Sequence, residues 1–124
     1  RNQATLTKED LATMQTERTE VASVFYNRLA VNMALESDAT VNYITGKTDR
    51  SVSIADTKIK SPYNTYQVSG LPPTPIANPG IGSIMAAIYP AKTDYLYFLN
   101  APDGTAYFAS TLAEHNANKA KYLK

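Results

Sequence analysis

The chain has 124 residues, 44% of them hydrophobic and 19% charged, which is typical of a single folded domain rather than a disordered segment. Its net charge is +1 and no basic cluster occurs, so the sequence lacks the positive surface of a nucleic-acid-binding protein. The absence of cysteine excludes disulfides, thiol catalysis and zinc–thiolate sites, and a single histidine, His115, excludes a metal site built from several histidines.

No apolar run approaches the length of about 18 residues that a membrane-spanning helix needs, and no signal peptide opens the chain. Because the first residue is Arg1 rather than methionine, we expect the chain to be a piece of a longer protein. Any membrane attachment would then come from a segment outside these residues.

The first strongly periodic element is a helix that we predict over residues 17–33. Its apolar residues recur at the spacing of one helix face: Val21, Val24, Phe25 and Leu29. Residues 1–15 are ambiguous, with Thr5 or Thr7 as a candidate N-cap ahead of two acidic residues.

Short elements are expected next. Ser37 and Asp38 are good capping residues, and the apolar residues after them predict either a helical turn or a short strand. A turn is predicted over residues 46–50. Ser53 and Asp56 stand at the spacing of a capping box, which predicts a short helix.

A proline-rich segment over residues 61–80 holds five of the seven prolines. Proline fixes φ, removes a backbone donor and restricts the preceding residue, so this segment is predicted to contain neither a helix nor a central strand. Its tyrosines, asparagines and threonines suggest a rigid loop that presents polar and aromatic groups, and binding sites concentrate on such loops. A proline-rich spacer or partner ligand is the alternative.

The C-terminal part predicts a helix, a hairpin and a second helix. Asn78 as N-cap and Pro79 at the first helical position begin a helix over residues 80–89. Strands over 95–99 and 106–109 flank a turn, and a capping box of Thr111 and Glu114 begins the last helix.

These elements predict an α+β fold in which several helices pack with a C-terminal β-hairpin. We expect residues 1–124 to form a single compact domain. Its core is predicted to bury the following side chains: Phe25, Leu29, Ile84, Met85, Ile88 and Phe98.

Carboxylates are the side chains left for catalysis, because no serine lies in a nucleophile-elbow pattern. One positioned carboxyl can act first as a general acid and then as a base. The candidates are Glu9, Glu17, Glu20, Glu36, Asp38 and Glu114. Composition alone does not choose among them.

Five motifs stand in order along the chain: VASVFYNRL at 21–29, MALESDATV at 33–41, SPYNTY at 61–66, GLPPTPIANPG at 70–80 and Glu114-His115-Asn116. Together they resemble the catalytic domain of the bacterial endolytic murein transglycosylases of the YceG-like family, also called MltG. The resemblance runs from about residue 16 to the C-terminus.

The resemblance implies cleavage of the β-1,4 bond between N-acetylmuramic acid and N-acetylglucosamine in nascent peptidoglycan, with a 1,6-anhydro product and no cofactor or metal. A single glutamate serves because the substrate supplies its own hydroxyl as nucleophile. It also implies an extracytoplasmic protein, anchored at the outer face of the cytoplasmic membrane, with peptidoglycan synthases as partners. A catalytically inactive glycan-binding or scaffolding module is the alternative.

Counting back from the Asn-Arg-Leu motif without gaps places the family's catalytic glutamate at Glu9. Sliding the local match by one residue would put Lys8 there instead, and an inactive site or Glu36 as the acid remain open. The resemblance also implies a glycan-binding groove built from these motifs: Asn27, Arg28, Glu36, Asp38, Tyr63, Asn64, Thr65, Tyr66 and Asn78.

Overall fold

The computed structural model describes residues 7–46 and 52–123. Within them, the helices and strands are, in chain order, α1 (Lys8–Ala30), α2 (Asp38–Thr45), α3 (Ile81–Ile88), β1 (Tyr97–Asn100), β2 (Ala106–Ala109) and α4 (Leu112–Tyr122). The predicted α+β class, with helices and a C-terminal hairpin, is confirmed. The candidate cap Thr5 and most of the predicted turn over 46–50 lie outside the described residues.

The chain divides into two compact units. Unit 1 comprises Arg1–Asn27 and Pro79–Lys124, and unit 2 comprises Arg28–Asn78. No helix of the described ranges is long and apolar enough to cross a membrane.

Helix α1 begins earlier than the periodic pattern predicted, because a capping box forms at its start. The amide of Asp10 donates to Thr7 Oγ1 at 3.1 Å, and the amide of Thr7 donates to Asp10 Oδ2 at 3.1 Å. These bonds satisfy backbone donors that a first helical turn leaves open. The helix stops at Ala30, just before Asn32 adopts a left-handed φ of 57°.

In unit 1 the hairpin is covered by α4 on one face. The antiparallel register pairs Tyr97 with Ala109 and Leu99 with Tyr107. Side chains on this face meet α4, where Tyr97 stacks on His115 at 5.0 Å and Tyr107 on Tyr122 at 3.6 Å between ring centroids. The predicted capping box of α4 is present, since Thr111 Oγ1 accepts from the amide of Glu114.

The opposite face of the hairpin meets α1. Phe98 lies edge to face with Phe25, with ring centroids 6.0 Å apart. Both rings, and the side chain of Leu29, are mostly but not fully buried, which agrees with the prediction for these three residues. The buried side chains of unit 1 include Val24, Leu99 and Ala109.

The prediction that α3 buries its large apolar side chains is wrong. Ile84, Met85 and Ile88 are 40%, 42% and 59% exposed, whereas Ala86 is 2% exposed. The helix meets α1 through its small residues: Gln15 Nε2 donates to the carbonyl of Gly82 at 2.9 Å. Close approach of two helices favours small side chains. The isoleucines of α3 recur at helical spacing and mark an apolar side, but that side is not the one that meets α1.

The start of α3 also differs from the prediction. Gly80, with φ of −73° and ψ of 170°, occupies the N-cap position, and Ile81 is the first helical residue. Asn78 and Pro79 therefore precede the helix rather than capping it.

Unit 2 is organised around buried polar residues. Helix α2 follows Ser37 and ends at Gly46, whose φ of 73° is readily available to glycine. The predicted capping box forms, with Asp56 N donating to Ser53 Oγ at 3.0 Å, and a short 3-10 turn follows over Asp56–Lys58. Residues 61–80 contain neither helix nor strand, as predicted.

Candidate active site

Unit 1 contains a cleft of about 1170 Å³ between α1, α3 and the hairpin turn. Asp10, Glu17 and Arg18 of α1 line one side, and Asp103 of the turn lines the other. The backbone amide of Thr105 donates to Asp103 Oδ1 at 2.9 Å, and this bond lowers the pKa of that carboxyl. The cleft is open to solvent, and its lining mixes these charged residues with apolar ones.

A smaller cleft, of about 370 Å³, lies between α1 and β2. Its α1 side presents Glu17 and Glu20, and Phe108 of β2 stands across from them. Burial raises the pKa of the Glu20 carboxyl, and the negative charge of Glu17 raises it further. A raised carboxyl pKa is the property that a general acid needs near neutral pH.

Glu9 lies in the first turn of α1 and is exposed. It is not among the described residues that line either cleft. Helical spacing nevertheless places it on the stripe of α1 formed by Thr13, Thr16 and Glu20, at intervals of four, seven and eleven residues. Glu9 thus continues the acidic and hydroxyl-bearing stripe one turn beyond the smaller cleft.

Asn27 of unit 1 is engaged with the backbone. Its Nδ2 donates to the carbonyls of Thr93 and Tyr95, both at 2.9 Å. These bonds fix the segment that leads into β1. In this position the amide nitrogen of Asn27 is committed to the backbone.

Arg28 of unit 2 is 8% exposed and serves the segment after α1. Its Nη1 donates to the carbonyls of Ala34 and Leu35 at 3.0 and 3.1 Å, and lies 3.9 Å from Glu36 Oε2. The guanidinium holds residues 34–36 in place, while the Glu36 side chain, 48% exposed, remains accessible.

Asp38 and Tyr66 form a second polar pair in unit 2. The Tyr66 hydroxyl donates to Asp38 Oδ1 at 2.5 Å. Asp38 is exposed as the first residue of α2, and Tyr66 is half-buried. Glu36 and Asp38, two residues apart, thus both present carboxylates to solvent.

Asn64 and Thr65 are fully buried, each with 0% exposure. Asn64 Nδ2 donates to the carbonyls of Thr57 and Ile59, and Asn64 Oδ1 accepts from the amide of Tyr66. These bonds fix the backbone of the loop around Asn64. Neither side chain can touch a ligand in this conformation, so their contribution to a site is to position their neighbours.

Tyr63 and Asn78 complete the predicted set. The Tyr63 hydroxyl lies 2.7 Å from Thr74 Oγ1, and its half-buried ring packs on Tyr43 with centroids 5.1 Å apart. Asn78 is exposed.

The structure adds residues that the sequence analysis missed or left undecided. Thr40 is 4% exposed and bonds to Thr65, and Thr74 bonds to Tyr63. The sequence did not distinguish Glu20 from the other candidate carboxylates, and its position in the smaller cleft does. Hydroxyl pairs joined across 25 residues leave no periodic signal in the sequence.

The model of the YceG-like family matches residues 6–121. The chain belongs to the YceG-like family. The match spans both units and all the described helices and strands except the last residue of α4.

Two curated relatives are both named endolytic murein transglycosylase. The chain is 51% identical over 115 residues to the endolytic murein transglycosylase of Bacillus subtilis, covering 93% of this chain and 32% of the relative. It is 37% identical over 113 residues to the endolytic murein transglycosylase of Streptococcus pneumoniae strain D39, covering 86% of this chain and 20% of the relative. The chain therefore spans about a third or less of the length of these proteins.

A solved structure has the same fold. A yceG-like protein of Listeria monocytogenes superposes with a TM-score of 0.78 at 51% identity, covering 80% of this chain and 33% of the other.

Proposed function

We propose that the protein is an endolytic murein transglycosylase and that residues 1–124 belong to its catalytic domain. The observation that carries the proposal is the 51% identity to a relative with this name over 93% of the chain. The substrate is a peptidoglycan glycan strand, cleaved at the β-1,4 bond between N-acetylmuramic acid and N-acetylglucosamine.

The proposed reaction needs one carboxyl. Glu9, protonated, donates its proton to the glycosidic oxygen as the bond from that oxygen to C1 of the muramic residue breaks. The resulting carboxylate accepts the proton of the C6 hydroxyl as this oxygen closes onto C1, which gives a 1,6-anhydro end. The substrate's own hydroxyl replaces water, and its high effective concentration favours ring closure over hydrolysis.

Two features support Glu9. The ungapped spacing from Asn27 assigns it, and its helical position continues the stripe of Thr13, Thr16 and Glu20 along the smaller cleft. A glycan strand that lies along this stripe would bring its hydroxyls to the threonine hydroxyls and a glycosidic oxygen to Glu9. Glu20 is the competing acid, because its raised pKa suits proton donation.

In this proposal unit 2 supplies the binding residues other than Asn27, which belongs to unit 1. Glu36 and Asp38 would accept hydrogen bonds from sugar hydroxyls and acetamido N–H groups, and Tyr63 and Tyr66 would pack on sugar rings. Asn27, Arg28, Asn64 and Thr65 would act by holding backbone, as their bonds indicate. Asn78 would contact the strand directly, since it is exposed.

We further propose the setting that this substrate requires. The protein acts in the cell envelope, at the outer face of the cytoplasmic membrane, where nascent strands emerge from peptidoglycan synthases. Those synthases are its proposed partners. The chain needs no metal or cofactor for this reaction.

The test compares three isosteric variants, Glu9→Gln, Glu20→Gln and Glu114→Gln, on uncrosslinked glycan strands. Glutamine is nearly isosteric but cannot donate an acidic proton, so Glu9→Gln should abolish anhydromuramyl products while the melting temperature is unchanged. Glu114→Gln is the matched control, because glutamine preserves a capping box. Mass spectrometry of the strand ends gives the readout.

Each outcome points to one reading. Loss of product in Glu20→Gln alone would move the acid to Glu20. Wild-type protein that yields only reducing ends would contradict the transglycosylase chemistry. Wild-type protein that binds strands without cleaving them would favour the inactive binding module.

A further inference from the structure

We propose that Thr40 is a positioning residue, which locks the Glu36–Asp38 edge of unit 2 in the conformation that binds glycan. The inference rests on the proposed function for the identity of the ligand. Glu36, a residue other than glycine, has a φ of 49°. Left-handed backbone is unfavourable for glutamate, and such strain persists where surrounding contacts hold it.

Thr65 holds the backbone at Glu36, in addition to the contact that Arg28 makes with the Glu36 side chain. The amide of Glu36 donates to the carbonyl of Thr65 at 3.2 Å, and the amide of Ser37 donates to Thr65 Oγ1 at 2.8 Å. Two successive amides are thus fixed by one fully buried residue. The direction of these two amide N–H groups depends on the left-handed turn of the backbone at Glu36.

Thr40 completes a closed circuit of hydrogen bonds through Ser37, Thr65 and Thr40. The Ser37 amide donates to Thr65 Oγ1, which lies 2.8 Å from Thr40 Oγ1, and Thr40 Oγ1 donates to the Ser37 carbonyl at 2.7 Å. Thr65 Oγ1 lies 3.4 Å from the same carbonyl, so either hydroxyl can donate within the pair while the other donates to Ser37. Each hydroxyl then both donates and accepts, and such chains strengthen one another in a buried setting.

The hydrogen-bonded circuit also affects the exposed residues on either side of Ser37. Thr40 and Thr65 are 4% and 0% exposed, so neither can meet a ligand. Glu36 and Asp38, on either side of Ser37, present their carboxylates to solvent, and Asp38 is also held by Tyr66. Removing the Thr40 hydroxyl takes one partner from Thr65 Oγ1 and one from the Ser37 carbonyl. The Ser37 amide keeps its bond to Thr65 Oγ1, but that hydroxyl is held less firmly, which lets both carboxylates leave their bound geometry while Glu9 is untouched.

The test uses Thr40→Val, which keeps the shape and removes the hydroxyl, and Thr40→Ser, which keeps the hydroxyl. The matched control is Thr45→Val, the same change on the same helix, where the hydroxyl points back to the Asn42 carbonyl at 3.5 Å. Thr40→Val should raise KM for glycan strands about tenfold with kcat within about twofold, the effect expected for lost ground-state positioning. Thr40→Ser and Thr45→Val should stay within about twofold of wild type in both.

Amide hydrogen exchange gives a readout that needs no turnover. The amides of Glu36 and Ser37 should be protected in wild-type protein and exchange about tenfold faster in Thr40→Val. Unprotected amides in wild type would overturn the proposal even if Thr40→Val does not fold. Equal losses of activity in Thr40→Val and Thr40→Ser, or an unchanged KM in Thr40→Val, would overturn it as well.

The two proposals fail separately. If wild type makes anhydro ends and Thr40→Val matches it, the positioning role alone is wrong. If wild type makes none but binds strands, a tenfold weaker Kd in Thr40→Val supports the positioning role while the proposed chemistry fails. If wild type neither cleaves nor binds strands, both are overturned.

Discussion

The hydroxyl of Tyr66 donates to Asp38 Oδ1 at 2.5 Å and joins the loop after Asn64 to the first residue of α2. Burial raises the pKa of Tyr66 well above its ordinary value near 10, and the hydrogen bond and the charge of Asp38 raise it further. The proton is therefore held more tightly in the folded protein than in the unfolded chain.

This linkage predicts a loss of stability in alkali. Above pH 10 the unfolded chain releases the Tyr66 proton while the folded protein retains it, so the free energy of unfolding falls as pH rises. Tyr66→Phe should lower stability at pH 7 and flatten the fall above pH 10. Urea unfolding at pH 7, 9, 10 and 11 measures both. An equally steep alkaline fall in Tyr66→Phe would show that other groups cause it.

The orientation of α3 predicts a large change in stability for a substitution at Ala86 and a small one for a substitution at Ile88. Ala86→Leu should destabilise the protein by about 1–3 kcal/mol, because it overpacks a position that is 2% exposed. Ile88→Ala should change stability by less than about 0.5 kcal/mol, since the side chain is 59% exposed. Thermal unfolding measures both. The reverse order, with Ile88→Ala the more damaging, would mean that α3 buries its isoleucine side.

Asn64 is expected to matter for folding more than for chemistry. Asn64→Ala removes two donors and one acceptor from a fully buried site and should cost about 2–4 kcal/mol. Asn78→Ala is the matched control, and as an exposed change it should stay within about 0.5 kcal/mol. Chemical denaturation gives both values. A neutral Asn64→Ala would place this side chain at the surface instead.

The sequence determined the features that depend on neighbouring residues. The capping boxes at Ser53 and Thr111, the hairpin and the irregular 61–80 segment all follow from local backbone preferences, which act within a few residues. The ordered motifs likewise identified the family. They also assigned Glu9, through spacing along one helix, and that assignment stays a prediction.

The tertiary structure decided what depends on contacts between distant segments. The spacing of the isoleucines in α3 marks the wrong side as buried, because Ala86 is buried only where α1 supplies the opposing surface. Asn64 has the polar side chain expected of a ligand-binding residue, but its side-chain N–H groups donate to the carbonyls of Thr57 and Ile59 instead. Glu20 gains its raised pKa in the cleft between α1 and β2, since desolvation depends on what packs nearby rather than on the helix alone.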